Sequence, residues 1–228
     1  MIGIIAAMAE EVQAVLDHMT ELRTIDLHSF HFIQGNLNGR EIIITESGVG
    51  KVQAAIATTV LLTNFSIEGI INVGIAGSLK KELTVGHVVI ADKVAQWDFD
   101  LSAFGIVKGF STERYTIQAD LMKVEKLHLL MHDDQFSHIG PMVTGDQFVY
   151  NEEQLRIIKA SYPEALCVDM EAGSIAQVSR FYHIPFLIVR SISDVTTEDG
   201  NETVFEEVIR HACAVAAQYC SQAVGIFD

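Results

Sequence analysis

The chain has 228 residues, with 15 Lys+Arg against 30 Asp+Glu and a formal net charge of −15 with His neutral. So acidic a balance, with no window that gathers Lys and Arg, excludes nucleic acid as a partner, because a polyanion demands a basic stripe that can displace its counterions. With 49% hydrophobic and 20% charged residues the composition excludes disorder and provides for a sizeable core.

Short Ile- and Val-rich runs alternate with segments of helical period, the pattern of strands and helices in an α/β fold. Residues 1–7 predict a strand and 10–19 a helix. Residues 30–37 and 41–46 predict two strands joined through Asn38-Gly39, a dipeptide suited to a tight hairpin. A helix over 50–64 follows, then strands over 69–73 and 87–94, a helix over 120–131 and a strand over 139–144. The last third predicts a helix over 151–160, a strand over 165–170 buried on both faces, a helix over 171–182, a strand over 186–191 and a closing helix over 203–222. Residues 96–116 and 195–202 are weakly patterned, and loops of such length in a compact domain are usually functional or mobile. The strands outnumber what a simple doubly wound sheet requires and the early hairpin breaks β-α-β alternation. A mixed, curved sheet with helices outside is therefore expected. No linker, composition break or repeat divides the chain, which predicts a single domain over residues 1–228.

The first eight residues are apolar, lack a basic leader and run into Glu10-Glu11, which predicts no signal peptide. No apolar run approaches the roughly 20 residues of a membrane span. Cys167, Cys213 and Cys220 form no Cys-x-x-Cys pair, so buried thiols and a cytoplasmic location are expected.

Three familiar motifs fail on their mechanics. The first strand is followed by Ala6-Ala7-Met8 rather than a glycine-rich pyrophosphate turn, which argues against NAD. Ser47-Gly-Val-Gly-Lys-Val52 imitates a phosphate loop, but Thr45 occupies the leading glycine position and Val52 the hydroxyl position. Of nine histidines only His28 and His31 approach ligand spacing, so no metal is expected. What survives is a set of carboxylates at strand ends. Glu10 and Glu11 follow the first strand, Glu171 the strand ending at Met170, and Asp194 the strand ending near Ser193. Carboxyl ends of strands are where α/β sheets bind ligands, so these acids point at one cleft. Helix capping is the alternative for any one of them.

Taken in order, Met8-Ala-Glu-Glu-Val12, Ser47-Gly-Val-Gly-Lys-Val52, Asn72-Val-Gly-Ile-Ala-Gly77, Thr144-Gly-Asp-Gln-Phe148, Val168-Asp-Met-Glu-Ala172 and Arg190-Ser-Ile-Ser-Asp194 span the chain. This series resembles the landmarks of the bacterial 5′-methylthioadenosine/S-adenosylhomocysteine nucleosidases, within the nucleoside phosphorylase and nucleosidase superfamily. The resemblance implies a three-layer α/β/α fold around a mixed, barrel-like sheet, a homodimer, and hydrolysis of the adenine N-glycosidic bond without a cofactor. It makes Asp194 the acid that protonates adenine N7 and Glu11 the base for the attacking water. Glu171 would grip the ribose hydroxyls, with Met170 against the sugar. Phe148 would stack on adenine, the Val149 backbone would read its edge and Ser193 would support the acid. The 5′-alkylthio pocket would be lined by Met8, Val49 and Phe205, with Leu101 and Phe104 arriving from the partner subunit. Met8, Phe104, Phe148 and Phe205 read equally well as core residues.

The chemistry agrees with the resemblance, since cleaving a C–N bond to ribose builds positive charge on the sugar and negative charge on the base. Phosphorolysis is the alternative, but Asn72-Val73-Gly74-Ile75 lacks the cation and hydroxyl that hold phosphate in the hexameric phosphorylases. A nucleoside-binding sensor without turnover is a second alternative. Ile75, counted among the substrate-binding positions, stands where the nucleosidases carry serine, Ala6 where they carry glycine and Asp169 where they carry the first glutamate of Glu-Met-Glu. These departures leave open a preference for 5′-deoxyadenosine or another 5′-modified adenosine. The apolar stretch from Trp97 to Phe110 either folds onto its own core or is shared between subunits.

Overall fold

A computed structural model describes residues 1–131, 136–195 and 202–227, with side chains described throughout except at 194–195 and 202–205. The strands are β1 (Ile2–Ala6), β2 (Thr20–Leu27), β3 (Phe30–Leu37), β4 (Arg40–Glu46), β5 (Gly69–Ser78), β6 (Val88–Gln96), β7 (Thr116–Gln118), β8 (Ser137–Thr144), β9 (Cys167–Asp169) and β10 (Phe186–Val195). The helices are α1 (Ala9–Leu16), α2 (Lys51–Asn64), α3 (Leu121–Leu130), α4 (Glu152–Ser161), α5 (Ala172–Phe181) and α6 (Glu202–Ala223).

All ten strands join one mixed sheet. β10, β6, β8, β9 and β5 pair in that order, and β10 pairs back onto β5, so these five close a small barrel. From β5 the sheet continues outward through β1, β4, β3 and β2. Helices α2 and α5 pack together against one side, while α6 lies against β5 and β10 with α1 beside it, giving the expected α/β layers around a barrel-like core. The barrel strands are buried on both faces, which accounts for their continuous apolar runs rather than alternation.

The β3–β4 hairpin turns on Asn38 at φ 50° and Gly39 at φ 80°, the two left-handed positions that an Asn-Gly turn supplies. β2 was not foreseen because almost all of Thr20–Leu27 is solvent-facing: an edge strand with no buried face carries no period-two signal. β5 and β10 run several residues beyond the predicted 69–73 and 186–191, because parallel pairing continues from Phe186↔Ile70 to Val195↔Ser78 past a bulge between Ile192 and Asp194. The stretch 96–116 proves to be partly regular, with a 3₁₀ turn at Ser102–Phe104 and β7 starting at Thr116. Trp97 and Phe110 fold inward around Tyr162, whereas Phe99, Phe104 and Val107 face out, so the stretch folds onto its own core only in part. Among the described residues no helix is long and apolar enough to cross a membrane.

Candidate active site

The carboxyl ends of β1, β4, β5, β9 and β10 face one cavity of about 260 Å³. Met8, Glu11, Val49, Ile75, Phe148, Val149, Met170, Glu171 and Ser193 all line it. Nine positions scattered between 8 and 193 thus converge: parallel pairing brings the ends of β1, β4, β5 and β10 to one edge, and the short β9 pairs antiparallel with the last residues of β5 at that edge.

Glu11 sits in the first turn of α1 and is 4% exposed. Its Oε2 accepts hydrogen bonds from Ala7 N at 2.7 Å and Met8 N at 3.1 Å, and its Oε1 accepts from Ile75 N at 2.9 Å. The capping interpretation therefore holds in part: one donor is the amide of Met8, the N-cap residue of α1, the second is the amide of Ala7 just before it, and the third comes from a different strand. Gly74 is required beside it, since a Cβ there would stand 2.5 Å from Glu11 Oε1. Burial pushes the Glu11 carboxyl above its usual range, opposed by the Arg190 charge and by the three backbone donors. Glu10, by contrast, is exposed and takes no part.

Glu171 is 6% exposed and occupies the N-cap position of α5, yet its side chain does not cap that helix. Asp169 does so instead, its Oδ2 accepting from Ala172 N at 2.9 Å. Glu171 is thereby released to face the cavity, where its Oε1 accepts from Gly50 N at 2.9 Å. Burial, then the neighbouring Asp169 charge, raise its carboxyl to about 7, against the lowering influence of Arg190 and the Gly50 amide.

Beneath both acids lies a cation that the sequence reading did not single out. Arg190 is 1% exposed, and its Nη2 donates to Asp169 Oδ2 at 2.6 Å and to Asn72 Oδ1 at 2.6 Å, with Nε donating to Asp169 Oδ2 at 3.1 Å. Thr144 Oγ1 donates to Asp169 Oδ1 and accepts from Gly173 N at 2.8 Å. A signal for this was present: an arginine inside the run Phe186-Leu-Ile-Val-Arg190 must be buried with its strand, and a buried guanidinium obliges a carboxylate partner.

Part of the lining is less enclosed. Phe148 is 60% exposed and Val49 is also exposed, while Val149 is buried. Gln147 and Ile209 of α6 also line the cavity, and neither was foreseen: Gln147 adjoins the predicted Phe148, whereas Ile209 is indistinguishable in sequence from the core face of α6. Leu101 and Phe104 do not reach the cavity of their own chain, and Phe104 is 80% exposed. The Asp194 backbone pairs with Gly77, which lines the cavity next to Ser193. The side chains of Asp194 and Phe205 lie outside the described residues.

The phosphorylase superfamily model matches residues 1–225. The chain is 39% identical over 220 residues to a 5′-methylthioadenosine/S-adenosylhomocysteine nucleosidase from Staphylococcus aureus (strain JH9), covering 96% of each. It belongs to the 5′-methylthioadenosine/S-adenosylhomocysteine nucleosidase family. A solved nucleosidase from S. pneumoniae with the transition-state inhibitor MT-ImmA is similar at a TM-score of 0.90 and 32% identity, over 100% of this chain and 99% of that one. Another nucleosidase, from Neisseria meningitidis in complex with methylthio-immucillin-A, is similar at a TM-score of 0.89 and 30% identity, over 98% and 97%. Within this nucleosidase family the five-stranded barrel and its outer strands form a nucleoside phosphorylase-like fold, with the cavity at the strand ends.

Proposed function

We propose that this nucleosidase hydrolyses the N-glycosidic bond of 5′-methylthioadenosine and S-adenosylhomocysteine, releasing adenine for methionine salvage and methyl-cycle recycling. The observation that carries the reading is one cavity lined both by two buried carboxylates, Glu11 and Glu171, and by the exposed ring of Phe148. An adenine nucleoside suits that mixed lining, with its sugar held by the acids and its purine against the ring.

As the bond breaks, positive charge grows on the ribose and two carboxylates are placed to stabilise it. Glu11 accepts three backbone N–H groups, an arrangement suited to its ionised form, and it serves as the base for the attacking water. Glu171, near neutrality before binding, is drawn to its ionised form by the cationic sugar and holds the ribose hydroxyls, with Met170 packed on the sugar. Asp194 protonates adenine N7, supported by Ser193, while the Val149 backbone reads the edge of the base. Met8, Val49 and Phe205 hold the 5′-alkylthio group. Leu101 and Phe104 complete that pocket from the second subunit of a homodimer, consistent with their distance from the cavity of their own chain. The chain acts as one domain over residues 1–228, in the cytoplasm, without a cofactor.

Water is favoured over phosphate as the nucleophile because the described lining carries no Lys or Arg, and Arg190 is already bound by Asp169 and Asn72. Incubation with 5′-methylthioadenosine, followed by ultraviolet absorbance or a coupled oxidase, is expected to release adenine at a rate that added phosphate does not change. A ribose 1-phosphate product would establish phosphorolysis, and saturable binding without product would establish a sensor.

A further inference from the structure

The turn at 47–51 lacks the residues of a phosphate loop, and the structure gives its lysine another occupation. Lys51 Nζ donates to Asp98 Oδ1 at 2.6 Å and lies 4.0 Å from Asp146 Oδ2. The Lys51 backbone N donates to Asp146 Oδ1 at 2.7 Å, and Asp146 N donates to Asp98 Oδ2 at 2.9 Å. Every member thus bonds the other two, and each comes from a different segment. Lys51 opens α2, one residue after the Gly50 amide that holds Glu171. Asp146 lies two residues before Phe148, in the loop that follows β8. Asp98 lies between Trp97, packed in the core, and Leu101 and Phe104, assigned above to the partner's site.

We infer that Lys51, Asp98 and Asp146 are positioning residues for glycosidic cleavage: the triad holds the Gly50 amide on Glu171 and the Phe148 ring over the purine in one fixed relation, an inference that rests on the hydrolytic reading above. The side chains of Lys51 and Asp98 are 17% and 16% exposed, so the pair is shielded from solvent without being sealed from it. Removal of one charge should leave the barrel folded and loosen the two loops. Asparagine at 98 cannot serve both neighbours, because one of its two terminal atoms would present N–H groups to Lys51 or to the Asp146 amide. Since Glu171 and Phe148 touch the nucleoside before and during bond cleavage, looser placement should weaken binding more than turnover.

The test uses Asp98→Asn, Lys51→Met, their combination and Lys51→Arg, with 5′-methylthioadenosine turnover and with adenine affinity by titration calorimetry. Each single variant is expected to raise KM by about tenfold with kcat changed less than about threefold, and the double variant to be no worse than either single. Lys51→Arg, which keeps the cation, should return KM to within about threefold of the native value. Emission of Trp97, the one tryptophan of the chain, should move to longer wavelength in Asp98→Asn as its neighbour at Gly145 lifts away. The inference is overturned by an unchanged KM, by effects that add in the double variant, or by KM and kcat worsening together with a lowered melting temperature in all variants, Lys51→Arg included. Adenine affinity separates the two levels of claim. Native protein that binds adenine more tightly than the variants but turns nothing over would remove the hydrolytic reading and leave the positioning role. Active native protein whose variants match it would remove only the positioning role.

Discussion

The floor and the rim of the cavity are built on opposite terms. On the floor, Glu11, Asp169 and Arg190 are buried, and their hydrogen bonds are exchanged with backbone amides and with one another inside one chain. On the rim, Phe148 and Val49 are apolar and turned to solvent. The floor has the character of a preorganised charge environment, complete before any ligand arrives. An exposed apolar rim has the character of a surface that gains its partners on association, from the purine or from a second subunit. Substitutions in the floor should consequently damage folding or kcat, and substitutions in the rim should damage KM or its dependence on protein concentration.

The largest effect is expected for Asp169→Ala, which strands the Arg190 guanidinium in the core. A loss of about 3–5 kcal/mol in unfolding free energy, measured by urea denaturation, is the value for breaking one side of a buried pair. A stability within about 1 kcal/mol of native would show that water or Asn72 compensates and that the floor is less rigid than its geometry. Asp194→Asn and Glu11→Gln come next, each expected to lower kcat at least about 100-fold, or about 2.7 kcal/mol of barrier, while a transition-state-like inhibitor still binds. Near-native turnover in either would withdraw that residue from the reaction. Phe148→Ala should raise KM by about tenfold with kcat nearly retained, as expected for the loss of one stacking partner worth about 1–1.5 kcal/mol. A fall in kcat instead would place Phe148 with the floor.

The smallest effect is a pH dependence. Burial and Asp169 raise the Glu171 carboxyl from its ordinary 4.5 to about 7, and Glu11 shifts in the same direction. The folded chain therefore retains a proton at Glu171 that the unfolded chain has released, so this contribution to stability is full below about 4.5 and is lost as pH rises through about 7. The melting temperature of ligand-free protein should decline across that window, and Glu171→Gln should flatten the decline. An unaltered slope in that variant would assign the dependence to other groups.

The difference between floor and rim also explains what could be read from the residues alone. Strand ends followed by acids, glycines beside them and the Asn38-Gly39 turn are local patterns, each with a local physical cause, and they were legible one by one. Most of the lining residues came from the ordered series of fragments rather than from any single one, because a side chain such as Met8 or Phe148 is the same in a core as in a ligand wall. Arg190 was overlooked although its run of apolar neighbours announced burial, since its partner Asp169 lies on a different strand. Ile209 and β2 had no distinguishing signal: one shares the period of its helix, and the other has no buried face from which a period could arise.

Composition, periodicity and turn chemistry are short-range properties, and they settled the α/β class, most elements and the strand ends at which chemistry could occur. Which acid capped a helix and which faced a ligand was a matter of three-dimensional pairing: Asp169 takes the α5 amide and leaves Glu171 to Gly50, 121 residues away along the chain. No local pattern distinguishes those two carboxylates, because the donors that choose between them are brought together only when the barrel closes.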